Sequence, residues 1–263
     1  MVTTDPPSLV PPPTALRRPA RIAAITATAG AAIAWPLAVI DLPQSGPMCQ
    51  KAHCVVFPFT DAAYSPVDYL WMYPAAVGLL GFAALLTIIE PLAPPQRWVA
   101  ARLASRSAGA GAVIIGTAFA LQLFVVQPSI LNNQQDGLTF WTQFNPHGGF
   151  IALENLGYLL MSFALLGVSR LVPGRSGLRR LVRITGATLG GLGVLLLPLQ
   201  AAWFTANLEY RYEVTAISLT WTAIVVLSVP LVGCFSSDLQ GVRLSVEPAS
   251  TELAAADSHS QSG

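Results

Sequence analysis

The chain of 263 residues is 53% hydrophobic, only 10% charged, and carries a formal net charge of +1. Soluble domains average about 25% charged residues, so this balance excludes an ordinary soluble fold and sets the class as integral membrane protein. No nucleic-acid partner is expected.

Residues 1–20 are rich in proline and cannot bury a core, so they are read as a disordered cytoplasmic arm. Six apolar runs of about 20 residues follow, the length a helix needs to cross about 30 Å of hydrocarbon at 1.5 Å per residue. They are Arg21–Ile40, Tyr69–Ile89, Ser107–Gln127, Gly149–Ser169, Ile184–Thr205 and Val214–Phe235. None alternates polar and apolar residues as a barrel strand does. Pro36, Pro74, Pro198 and Pro230 fall inside or near the ends of these runs, which bilayer helices tolerate when neighbours satisfy the freed carbonyls. The first run follows twenty Pro-rich residues and ends AVIDLP without a small-x-small site, so it reads as a span and not as a cleaved signal peptide. Residues 236–263 are small and polar and read as a disordered cytoplasmic tail, which leaves 21–235 as the six-helix transmembrane domain.

The first outer loop, 41–67, holds Cys49 and Cys54, read as a disulfide closing a tight turn on an oxidising face. Their C-x4-C spacing departs from the C-x-x-C of redox pairs. A metal site of Cys49, His53 and Cys54 would need a further ligand such as His147. No metal and no cofactor is assigned, and Cys234 reads as a plain buried thiol.

Twelve of the fourteen Lys and Arg residues fall on one side of the spans. Arg17, Arg18 and Arg21 precede the first, Arg97, Arg102 and Arg106 lie between the second and third, five arginines lie between the fourth and fifth, and Arg243 follows the sixth. Basic residues flanking spans stay cytoplasmic, which places both termini there. Small residues recur as Ala108, Ala112, Gly116 and Ala120 in the third run and as Gly186 and Gly190 in the fifth. Such spacings let helix backbones approach closely, inside the bundle or across a dimer contact.

With this orientation the intramembrane polar residues share the outer leaflet: Gln122 and Gln127 on the third span, Glu154 and Asn155 on the fourth, Gln200 on the fifth. His147, in FNPHGGF, stands at the mouth. A carboxyl within a span is costly and usually faces a bundle interior, a partner or water. Two readings of Glu154 stay open. An acid in the first turns of a helix is favoured by the macrodipole, as for Asp68 and Glu213 at the starts of two other spans. Alternatively Gln122, Gln127, His147, Glu154, Asn155 and Gln200 line a polar vestibule suited to proton transfer or cation binding.

Named chemistries find no footing. HGGF has the look of a hydrolase oxyanion strand, but no G-x-S-x-G accompanies it, and there is no P-loop. None of the three histidines lies mid-span, which disfavours a bis-histidine haem. Trp35, Trp71, Trp141, Trp203 and Tyr210 fall where interfacial belts are expected.

The segments DYLWMYPA (68–75), QPSILNNQQDG (127–137) and FNPHGGFIALENLGYLLMS (144–162) resemble those of a group of bacterial six-helix membrane proteins without a characterised activity. The resemblance implies a multi-pass bacterial membrane protein whose distinctive residues gather at the outer ends of these spans, and implies no reaction.

The fold expected is all-α: a polytopic bundle of six transmembrane helices with cytoplasmic N and C termini, in the inner or plasma membrane. The function expected is non-enzymatic, binding or passing a small polar solute or cation through the vestibule. A membrane redox enzyme using the external cysteine pair, and an accessory or scaffold subunit, are the alternatives. The bilayer is a partner by composition, and a second copy or another membrane protein would use the small-residue stripes.

Overall fold

The computed structural model describes residues 13–40, 49, 67–134, 136–172 and 176–260, with side chains within that set from 15 to 39, at 49, and from 68 to 235. Six long helices carry the fold: α1 (Pro13–Ile40), α2 (Met72–Ile89), α3 (Trp98–Leu121), α4 (Gly149–Leu171), α5 (Gly177–Phe204) and α6 (Arg211–Ser260). No strand occurs among the described residues. Six stretches are long and apolar enough to cross a membrane: Ala15–Val39, Asp68–Leu92, Pro95–Leu131, Gly149–Leu171, Gly177–Asn207 and Arg211–Phe235. Over the described residues the chain is all-α with six membrane-length apolar helices, a multi-pass membrane protein. Cys54 and the loop around it, 50–66, lie outside the described residues, and with them the expected Cys49–Cys54 pairing.

The helices are longer than the apolar runs. α3 begins at Trp98 and α5 at Gly177, so Arg102, Arg106, Arg179, Arg180 and Arg183 stand on helix and not in loops. Arginine is a good helix former, and hydropathy marks only the part that fits hydrocarbon. Likewise α1 starts at Pro13 and α6 runs to Ser260, through the helix-forming stretch ELAAAD. At the arginine-rich end Arg97 donates to the Arg170 carbonyl, and the Arg102 guanidinium lies 3.7 Å over the Trp98 ring.

Each helix packs against its neighbours in sequence and α6 returns to α1, closing a ring; α6 also touches α2 and α4 and so lies toward the middle. Lipid tails are as apolar as the side chains, so close packing and not hydrophobic exclusion must hold such helices together. The small residues provide it. A Cβ placed on Gly30 of α1 would come within 2.5 Å of the Gly78 backbone nitrogen on α2. One placed on Gly190 of α5 would lie 2.7 Å from the Ser162 carbonyl oxygen and 2.8 Å from the Leu166 nitrogen on α4. The Gly186/Gly190 pair is thus spent inside the bundle. The α3 stripe behaves differently: Ala108 and Ala112 are buried, while Gly116 faces open space. Steps of four residues advance 400° around a helix of 3.6 residues per turn, so the stripe drifts off the contact. The buried face continues through Ile115, Ala118 and Phe119 instead.

α3 does not stop at Leu121. The chain widens into a π-turn over Gln122–Val126 and resumes as α-helix over Gln127–Leu131, with Pro128 in its first turn. Proline cannot donate to the carbonyl four residues back and its ring crowds that carbonyl. The π-turn preceding Pro128 accommodates both. A short helix, Leu138–Trp141, and a turn then lead into α4.

Candidate functional site

Gly148 is the N-cap of α4, in extended conformation, and the first turn holds no acidic residue. Glu154 therefore lies in the second turn, beyond the region in which the helix dipole acts. Asp68 and Glu213 do occupy first turns, Glu213 on α6. The dipole account fits those two and does not reach Glu154.

Glu154 is wholly buried and Glu213 is 8% exposed. Both stand at the α4–α6 contact, where the two carboxyls interact with one another. The two carboxyls lie within hydrogen-bonding reach of one another, and apart from that mutual contact neither oxygen of Glu154 nor Oε2 of Glu213 meets a donor. Neither carboxyl is ion-paired with Arg or Lys among the described residues. Arg211, two residues from Glu213, turns away: its Nε donates to the Asn207 carbonyl at 3.2 Å and its guanidinium sits over Phe204. Tyr158, one turn further along α4, is fully buried within electrostatic reach of both carboxyls and beside Trp221 of α6. Beyond the pair toward the arginine-rich end the interior is closed by Met161, Leu165, Ile224, Leu227 and Leu231, all fully buried.

Toward the arginine-poor end, a cavity of about 130 Å³ opens above Glu213. Trp35, Trp71, Phe144, Phe150 and Tyr210 supply its aromatic walls, and Val39, Val214 and Ile217 its aliphatic ones. The walls are braced from behind: Trp71 meets Phe119 edge-on at 5.1 Å and Trp221 at 5.9 Å, and Phe150 lies 6.5 Å from Phe119. Glu213 forms part of the lining and Glu154 lies behind it.

The roof is the segment between α3 and α4, whose buried polar groups are satisfied by one another. Gln122 accepts from the Gln143 backbone N–H at 3.1 Å and donates to the Trp141 carbonyl. The Gln143 side chain donates to the Asp68 carbonyl at 2.8 Å, and Tyr210 Oη donates to the Gln143 carbonyl at 3.1 Å. Asn145 donates to the Thr139 carbonyl and accepts from the His147 N–H at 2.9 Å, a turn that starts α4.

The six residues expected to share a vestibule are thus divided. Gln122 pins the roof. Gln127 continues α3 past the π-turn, and His147 is exposed with Nε2 3.9 Å from Glu209. Asn155 and Gln200 belong to the α4–α5 contact: Gly193 abuts Ser162, and two turns outward on each helix bring Gln200 level with Asn155. Gln200 Nε2 lies 3.5 Å from Thr215, while its carbonyl oxygen and that of Asn155 are buried without partners. None of the six lines the aromatic cavity. Glu154 finds its company on α6, where Glu213 had been read only as a helix-start acid. Among the described residues no group of three or more His, Cys, Asp or Glu side chains is arranged to hold a metal ion. Comparison with protein-family models, with curated proteins and with solved structures finds no match for this chain.

Proposed function

We propose that this is a cation-handling membrane protein whose working groups are the Glu154 and Glu213 carboxyls, entered from the arginine-poor, outer side. The observation that carries this reading is a buried carboxyl pair with no basic partner, whose oxygens meet no donor other than each other. Removing a carboxylate from water costs several kcal/mol even after relaxation, and like charges at close range add to that cost. Compensating positive charge, a proton or a cation, must enter the pair, and the cavity above Glu213 is the route the geometry supports. Intramembrane carboxyls so placed mark ion and proton pathways in general. Beyond the pair the space between α4 and α6 is filled by buried apolar side chains, so passage would require these helices to move.

The arginine distribution supports cytoplasmic termini, and with them an outer cavity, in a bacterial plasma membrane. The test is ion flux in vesicles holding the full chain, read with an internal pH-sensitive dye under imposed proton and sodium gradients. Flux above that of empty vesicles, lost in Glu154→Gln, is the expected result. Equal flux from the natural protein and Glu154→Gln would overturn the assignment.

A further inference from the structure

We propose that the aromatic cavity above Glu213 binds the ammonium group of a small organic cation. The inference rests on the reading of the carboxyl pair and adds the chemical class of what approaches it.

Three observations converge on an ammonium. Five aromatic side chains, from α1, from the start of the second span, from the roof and from the starts of α4 and α6, line one cavity of about 130 Å³. Aromatic faces attract cations within about 6 Å of the ring, and cages of them recognise alkylated ammonium groups. The carboxyl at the cavity's edge is Glu213, more than nine-tenths buried and reached by no basic side chain among the described residues. Finally, the remaining lining is aliphatic, with Gln143 and Ser218 the other polar side chains. A hard metal ion needs six or more oxygen ligands, or retained waters, which such walls do not offer. An organic ammonium needs one counter-charge and polarisable faces, and both are present.

The site is also preorganised. Trp71 and Phe150 are held by Phe119 and Trp221 behind them, and Tyr210 is tethered through its hydroxyl to Gln143. Little side-chain freedom is left to lose on binding. Trp35 and Val39, both partly exposed on α1, give the cavity a side that reaches the bundle surface between α1 and α6. An ammonium can therefore come from a soluble amine or from the headgroup of a neighbouring lipid.

The experiment uses the full chain, purified in a zwitterion-free detergent and phosphate buffer, and titrated with tetramethylammonium chloride against sodium chloride of equal ionic strength. Tryptophan fluorescence reports directly, since Trp35 and Trp71 are wall residues. A saturable response to tetramethylammonium alone is expected, weakened roughly tenfold or more in Glu213→Gln and several-fold in Trp35→Leu. Trp35 is half-exposed, so its replacement should leave the thermal unfolding temperature near that of the natural chain and keep the test interpretable if Glu213→Gln folds poorly. No saturable response, or one unchanged in both variants, overturns the proposal. Repeating the titration in discs of phosphatidylglycerol, with and without phosphatidylcholine, separates the sources. Equal affinity in both supports a soluble amine, and weaker affinity with phosphatidylcholine supports a lipid headgroup as occupant. Glu154-dependent flux without tetramethylammonium binding would sink the ammonium assignment and leave the carboxyl pair standing, whereas the reverse result would sink the flux reading.

Discussion

Gln122, on the helix that crosses the bundle as α3, accepts a hydrogen bond from the backbone N–H of Gln143 in the roof at 3.1 Å, and its other end donates to the Trp141 carbonyl. One fully buried amide thus satisfies two backbone groups of a loop that has no strand or long helix of its own. Gln122→Met keeps the side-chain volume and leaves both groups without partners. Orphaned buried groups cost about 1–3 kcal/mol each, so a loss of about 2–6 kcal/mol is expected. It should show as a lower unfolding temperature in detergent and faster proteolysis within 132–146. A variant as stable and as protease-resistant as the natural chain would mean that the roof is held elsewhere.

The carboxyl pair predicts the opposite sign. Two buried carboxyls that face only each other add like-charge repulsion and desolvation cost to the folded state, and the isosteric amide removes one of those charges while keeping a donor for Glu213. Glu154→Gln should therefore unfold no earlier than the natural chain, while losing flux. Stability gained where activity is lost is the mark of a residue kept for function. A clear drop in unfolding temperature for Glu154→Gln would instead make the carboxyl a structural group.

The bundle was legible because hydrocarbon imposes its own ruler: six runs near 20 residues in length could hardly be anything else. The helix ends were not, because arginines at 102, 179, 180 and 183 belong to helix as readily as to loop. The site was half legible. Glu154 stood out as a carboxylate within a span, but its partner Glu213 hid among helix-start acids, and only the α4–α6 contact reveals the pairing. Depth along the spans can be counted from sequence, whereas the direction a side chain takes around the bundle depends on which helices touch. For that reason Gln122, at a depth comparable to Glu154, turned out to hold the roof. Trp35 and Trp71, read as interfacial belt, also share a cavity wall, since a tryptophan at an interface and one beside a cavity look alike in sequence.

Orientation can be checked with single cysteines. Asn132 and Ser176 are exposed at opposite ends of the bundle. In intact cells, Asn132→Cys should gain labelling by a membrane-impermeant maleimide over the parent chain, and Ser176→Cys should gain it only after permeabilisation. The reverse pattern would put the arginine-rich end and both termini outside, against the retention of basic flanks in the cytoplasm.

The α4–α5 contact offers a test with an internal control one residue away. Gly190 meets backbone atoms of Ser162 and Leu166 at 2.7 and 2.8 Å from a would-be Cβ, while nothing lies within 4 Å of the corresponding position on Gly191. Backbone cannot swing aside as a flexible side chain can, so Gly190→Ala must part the two helices. Overpacking of this kind costs about 1–3 kcal/mol. Separation would also loosen the Tyr212 hydroxyl's 3.0 Å bond to the Gly193 carbonyl, one residue before Glu213. Gly191→Ala meets open space and gains helix propensity worth up to about 1 kcal/mol. Thermal unfolding of the two variants in the same detergent should therefore move in opposite directions. Equal shifts would mean that α4 and α5 are not in backbone contact at Ser162, and the level at which Gln200 faces Asn155 would have to be redrawn.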